Sequence, residues 1–193
     1  MAFDDKIFSL FNKFLIPFER QASKKELENL PNKLKDHVIL IGAHRMGTRI
    51  LKALRKKKES FIVVDFNPEV IKKLIKHNIH CVYGDLGNID ILESLHLEKA
   101  KIVISTIPST HEDLLLINLA REKNKKIIIF TTAKTVDEAL TLYNQGADFV
   151  ILPEMLAGDK LADYIRYLDA KAIRKWGNFY YKRLLKDVAR DTY

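Results

Sequence analysis

Residues 37–65 read HVILIGAHRMGTRILKALRKKKESFIVVD, an apolar run, a glycine turn, a helix and a second apolar run without interruption. Val38, Ile39, Leu40 and Ile41 form a short apolar run closed by Gly42, the pattern of a strand buried on both faces of a parallel sheet. From Arg45 onward, Met46, Ile50, Leu51 and Leu54 recur at helical spacing, while Arg49, Lys52 and Arg55 to Lys58 fall on the other side. The second run, Phe61 to Val64, ends in Asp65. That is where a βαβ unit of nucleotide-binding type places the acid that accepts ribose hydroxyls. In such a unit Gly42 permits the tight turn, Gly47 lets the helix pack on the sheet, and free amides at the helix start hold phosphate. One position departs from the G-x-G-x-x-G pattern. Gly42-Ala43-His44-Arg45-Met46-Gly47 puts His44 where bare backbone normally approaches a pyrophosphate. The same residues would also serve a tight βα turn in a sheet that binds nothing.

The pattern continues downstream. Asn67-Pro68 predicts an N-cap and first-turn proline for a helix through Val70, Ile71, Leu74 and Ile75. Ile79 to Tyr83 predicts the third strand, closed by Gly84-Asp85-Leu86-Gly87, and a helix from Ile89 to Leu95 follows. Ile102 to Thr106 is the fourth strand, and Thr110 with Asp113 has the spacing to cap the helix through Leu114, Leu115, Ile117 and Leu119. Lys126 to Phe130 is the fifth. Thr135 and Glu138 open another helix, which Gly146 ends before the sixth strand, Phe149 to Leu152. Strands alternating with helices predict an α/β, Rossmann-like doubly wound parallel six-stranded sheet. Ligands of such sheets lie beyond the strands' carboxyl ends, here Gly42, Asp65, Asp85 and Thr106.

Two segments stand outside this unit. In residues 1–35, Phe3, Ile7, Phe11, Phe14 and Phe18 make a stripe at helical spacing, and Ser23 with Glu26 predicts a second short helix through Leu27 and Leu30. This is a helical arm, docked on the domain or lying near a membrane. The nucleotide-binding domain is expected over 36–153. Residues 154–193 predict a crossover helix and helical tail with a stripe of Leu161, Ile165, Leu168, Ala172, Trp176 and Phe179. A second copy of the chain would cover it economically, giving a homodimer.

Composition narrows the class. Hydrophobic residues make up 47% and charged residues 30% of 193 positions, an ordinary globular mixture. No run approaches a membrane span, and Asp4, Asp5 and Lys6 break any signal-peptide pattern. The lone Cys81 suits a reducing compartment and a buried strand position. The net charge of +8 sits at helix ends and polar faces without interleaved aromatics, which argues against nucleic acid.

The glycine turn, Asp65 after the second strand, Tyr83-Gly84-Asp85, Ser105-Thr106, Gly146-Ala147-Asp148 and Pro153-Glu154 together resemble the regulator-of-potassium-conductance family, also called the TrkA-N or KTN domain. The match runs from about His37 to Tyr167. Phe18-Glu19-Arg20, Asp36-His37-Val38 and the Gly-Ala-His-Arg turn look most like the cytosolic tail of cation:proton antiporters. The resemblance implies a dimeric regulatory module at the cytoplasmic face of the cell membrane, which binds an adenine nucleotide and gates a membrane-embedded cation transporter. It implies Gly42, His44, Arg45, Met46 and Gly47 around the phosphates and Asp65, Phe66 and Asn67 at the ribose. Asp85 and Leu86 would lie near the adenine, with Ser105 and Thr106 as the pocket floor. Asp65 disfavours a 2′-phosphate, and His44 crowds a second phosphate group. AMP, ADP or ATP is therefore expected ahead of NAD(H).

Two other classes compete. Tyr167 and Lys171 have the Tyr-x-x-x-Lys spacing of an NAD-dependent oxidoreductase, but they lie past the sixth strand and no substrate domain follows, so no enzyme is expected. His77, His80, His96 and His111 show no metal-ligand spacing and read as surface or cap residues. A dimeric scaffold with no ligand is the third reading.

Overall fold

The computed structural model describes residues 28–29, 34–166 and 169–189. In chain order the elements are β1 (Glu28–Asn29), β2 (His37–Ile41), α1 (Arg45–Lys57), β3 (Phe61–Asp65), α2 (Pro68–Lys76), β4 (Cys81–Tyr83), α3 (Ile89–Ser94), a 3-10 turn (Leu97–Lys99), β5 (Ala100–Ser105), α4 (Thr110–Lys123), β6 (Ile128–Thr132), α5 (Val136–Asn144), β7 (Phe149–Ile151), α6 (Pro153–Arg166) and α7 (Ala170–Ala189). The sheet order is β1-β4-β3-β2-β5-β6-β7. The six strands from β2 to β7 run parallel, as the alternation of strand and helix predicts. Because the chain moves outward from β2 in both directions, the order reverses between β2 and β5, and a crevice opens over their carboxyl ends.

The central strands β2 and β3 bury both faces, so their apolar runs are continuous. Ile39, Ile41, Ile62, Val64, Val103 and Ile129 pack with Leu116, Ile117 and Ala120 of α4 on one face. Leu40, Val63 and Cys81 meet Leu51, Ile71 and Leu74 of α1 and α2 on the other. Burying a side chain of this size contributes about 1.5–3 kcal/mol, and these two layers hold the strand tips in register.

Local signals behave as elementary chemistry requires at most caps. Asn67 accepts the Glu69 amide at 2.9 Å with Pro68 in the first turn of α2. Thr135 and Glu138 form a reciprocal capping box on α5. At α4 the structure corrects the expected Thr110/Asp113 cap. Ser109 occupies the N-cap without a side-chain bond, and Asp113 turns into the core, where it is fully buried and accepts the Thr132 amide at 3.4 Å.

The second correction lies at the sheet edge. Glu28 and Asn29, expected within a short helix, pair antiparallel with Val82 and Cys81. The unpaired backbone of β4 offers ladder hydrogen bonds that outweigh the small helical preference of those residues. The aromatic stripe from Phe3 to Phe18, the Ser23/Glu26 pair, Tyr167 and Leu168 fall outside the described residues.

No residue of α6 is buried, and Met155, Leu156, Leu161 and Ile165 are exposed. α7 touches α6 through Trp176, whose ring centroid lies 4.5 Å from that of Tyr164, and through Tyr180, 3.2 Å from the Tyr164 hydroxyl. Among the described residues, no helix is long and apolar enough to cross a membrane.

Candidate functional site

The glycine turn joining β2 to α1 is held from three sides. Gly42 has φ +81, and a Cβ there would stand 2.6 Å from Thr106 Oγ1. Its amide donates to the Val64 carbonyl at 2.8 Å. The Thr106 hydroxyl lies 3.0 Å from both the Ile41 and Gly42 carbonyl oxygens, tying the tip of β5 to the turn. The Thr48 hydroxyl donates to the Ala43 carbonyl at 2.6 Å from inside the helix. These bonds fix the backbone that a phosphate would meet.

Above the turn, α1 begins without a cap. His44 sits at the N-cap and makes no side-chain cap bond, and the first turn carries no acid. The positive end of the α1 dipole is therefore offered to an external anion. Arg45 is exposed beside it and Met46 half-buried, so a mobile guanidinium can add charge-assisted hydrogen bonds.

Asp65 carries a structural task at this turn. Its carboxylate is buried, with Oδ2 accepting the Ala43 amide at 2.8 Å and Oδ1 the Asn67 amide at 2.9 Å. It clamps the glycine turn to the start of α2. His44 Nε2 lies 4.0 Å from Oδ1, with its side chain 58% exposed against 1% for Asp65. Each carboxylate oxygen keeps a spare lone pair, and His44 stands beside Oδ1.

The remaining predicted residues divide. Phe66 is 56% exposed at the tip of β3, a face on which a base can stack. Asp85 is exposed, with Oδ1 accepting the Gly87 amide at 3.1 Å. Asn67 is committed to capping α2. Leu86 is 1% exposed within the core cluster of Ile91 and Leu92, beside the Tyr83-Gly84-Asp85 turn. Alternate strand residues point to opposite faces; Ser105 is fully buried beside Asp113, while Thr106 lines the cavity described next.

Across the switch point lies a cavity of about 450 Å3 at the tips of β5, β6 and β7. Its walls include Met46, Thr106, Thr132, Lys134, Val136, Leu152, Glu154 and Met155. Of the predicted site residues, Met46 and Thr106 line it. The others were missed, although Thr132 to Lys134 and Pro153 to Met155 follow directly on strands, the place where the carboxyl-end rule directs attention. Beneath this cavity Thr132 donates its hydroxyl to the Ser105 carbonyl at 2.8 Å, and its amide faces Asp113. Burial pushes the Asp113 carboxyl up to about 7, with the nearby Ser105 hydroxyl and the Thr132 amide pulling the other way and Glu112 adding to the rise.

Comparison with known proteins places this geometry. Residues 38–153 match the TrkA-N domain. The chain is 29% identical over 162 residues to the probable potassium channel protein 2 of Methanocaldococcus jannaschii, covering 81% of this chain and 47% of that protein. It is 28% identical over 154 residues to the putative cation/proton antiporter YbaL of Escherichia coli, covering 77% of this chain and 28% of that protein. The chain thus spans less than half the length of both relatives. Among solved structures, the TrkA-N domain of Escherichia coli inner membrane protein YbaL superposes with a TM-score of 0.65 at 26% identity, covering 71% of this chain and 99% of that one. The AMP-bound Kef C-terminal domain of Shewanella denitrificans shares the fold, with a TM-score of 0.59 at 17% identity and coverage of 76% and 91%.

Proposed function

Because the chain belongs to the TrkA-N domain family, we propose that it binds an adenine nucleotide at the tips of β2, β3 and β4 and passes the bound state to a monovalent cation transporter at the cytoplasmic face of the membrane. The observation that carries this reading is the uncapped start of α1 over a glycine turn that admits no side chain. In it the α1 amides and Arg45 hold the phosphate, Phe66 supports the adenine with Asp85 at its edge, and Asp65 meets the ribose once His44 has moved. The AMP-bound Kef domain supports a mononucleotide. Nothing in the arrangement requires turnover. A ligand that binds one geometry of a dimer better than another shifts the population toward it, and the exposed apolar residues of α6 supply a surface for the second copy.

A dinucleotide is the second reading, favoured by the cavity across the switch point. NAD(H) would extend from the glycine turn past Met46 and Thr106 into it, with His44 displaced from its path.

Thermal unfolding with AMP, ADP, ATP, NAD and NADH tests both. A ligand at a hundred times its Kd adds about 2.7 kcal/mol, so one nucleotide is expected to raise the midpoint by several degrees. Arg45→Ala is expected to weaken it by roughly tenfold or more, the loss of a charge-assisted hydrogen bond. His44→Ala is expected to favour NAD over AMP relative to the parent. No shift with any of the five leaves the scaffold, and consumption of NADH with a small carbonyl points to the oxidoreductase.

A further inference from the structure

Helix α7 (Ala170–Ala189) carries six lysines and arginines against a single acid, Asp187. Lys171, Lys175, Asn178 and Lys182 follow at i, i+4, i+7 and i+11, so they share one face. With Arg174 and Phe179 they border a shallow concavity of about 530 Å3 that contains no carboxylate. Among the described residues, no ion pair relieves these four cations. The adjoining arc, from Trp176 and Tyr180 through Ile173, Leu184 and Tyr181 to Leu185 beside Arg174, is apolar. Trp176 and Tyr180 use part of it against Tyr164 of α6, and Ile173, Tyr181, Leu184 and Leu185 remain exposed, the last three at 63%, 55% and 51%.

We infer that α7 is an interfacial helix, which lies along an anionic lipid bilayer with its cations at the phosphate layer and Leu184, Leu185 and Tyr181 dipping into the acyl boundary. Unpaired like charges on one helix face repel one another, and a surface of fixed negative charge converts that repulsion into attraction. Nucleic acid would satisfy the cations and could stack on Phe179, but it offers nothing to a pair of exposed leucines. A bilayer offers phosphate and hydrocarbon within the width of one helix, which is the combination α7 presents. A second copy of α7 laid on this basic face would bring two positive surfaces together. The inference does not depend on nucleotide binding, because no residue of α7 lines the crevice or the cavity beside it.

The test uses the full chain with vesicles of phosphatidylcholine, alone or mixed with phosphatidylglycerol. The chain's single tryptophan, Trp176, lies on α7 itself, so its emission reports this helix and not the N-terminal arm. Expected are sedimentation with the anionic vesicles only, a blue shift of Trp176 emission on binding, and loss of both as salt rises. Charge reversal at Lys171, Arg174, Lys175 and Lys182 to Glu is expected to weaken partition at least roughly hundredfold, given about a fivefold effect per cation at such a surface. The matched reversal of Lys56, Lys57, Lys125 and Lys126 should change it far less. Leu184→Ser with Leu185→Ser should cut the blue shift while leaving the salt dependence. Circular dichroism checks that each variant keeps its helices. Equal sedimentation with neutral vesicles, equal partition of the two reversal variants, an unmoved Trp176 spectrum, or tighter binding to duplex DNA than to anionic vesicles would overturn the inference.

Discussion

Gly47→Ala is expected to cost at least about 3 kcal/mol of folding stability, beyond the usual range for overpacking, and to abolish the proposed nucleotide binding with it. A Cβ at position 47 would lie 1.8 Å from the Gly42 carbonyl oxygen and 2.8 Å from its carbon. Neither atom can retreat. Gly42 is fastened through its amide to Val64 and through its carbonyl to Thr106, so the methyl must lift α1 from the sheet and open the turn that would receive phosphate. Gly158 and Gly177 supply the control. A Cβ at either would meet nothing within 4 Å, and both lie inside helices, so Ala there is expected to stabilise by about 0.5–1 kcal/mol. Urea unfolding of the three variants decides it. A Gly47→Ala protein as stable as its parent would mean that the helix does not seat against Gly42.

Asp113→Asn is expected to stabilise the domain, and to do so in a pH-dependent way. The Asp113 carboxyl rises from an ordinary 3.8 to about 7, chiefly because burial penalises its charge. A group raised in the folded state favours folding through its neutral form. That contribution is complete below pH 4, drains away as pH climbs toward 7, and changes little above. The parent therefore loses on the order of 4 kcal/mol by pH 8 at about 1.36 kcal/mol per pH unit. Asn imitates the neutral acid and keeps an acceptor for the Thr132 amide. The variant should gain about 4 kcal/mol over the parent at pH 8 and less than half of that at pH 5. Equal differences at the two pH values would show that Asp113 ionises as an ordinary surface carboxylate.

These residues also show where sequence reading succeeds and where it stops. The six parallel strands were legible because burial on both faces leaves continuous apolar runs, and because Gly42, Asn67-Pro68 and Thr135-Glu138 punctuate them with distinct chemistry. Asp113 misled because an acid three residues after Thr110 is also what a capping box requires; only the packing of α4 against β5 and β6 reveals which way it turns. Ser105 and Thr106 are neighbours in the chain, and the one-residue alternation that separates them depends on where β5 ends. Leu86 sits in a turn of polar and glycine residues, yet the turn folds over the core. Asp65 was found at the expected place, but its position does not disclose that two backbone amides hold its oxygens. The cavity beside Thr132 and Met155 is built by three separate strand tips and α6, a juxtaposition that no local pattern encodes.

The two-residue strand β1 has a mechanical consequence. It pairs on β4 at one margin of the sheet, while α6 departs from β7 at the opposite margin. Six inter-strand steps of about 4.8 Å separate these ports by roughly 29 Å. The crevice lies near the midpoint, over β2 and β5. A push arriving through Glu28–Asn29 and a pull exerted by α6 would then act on opposite ends of one hydrogen-bonded plate, with the crevice near its pivot.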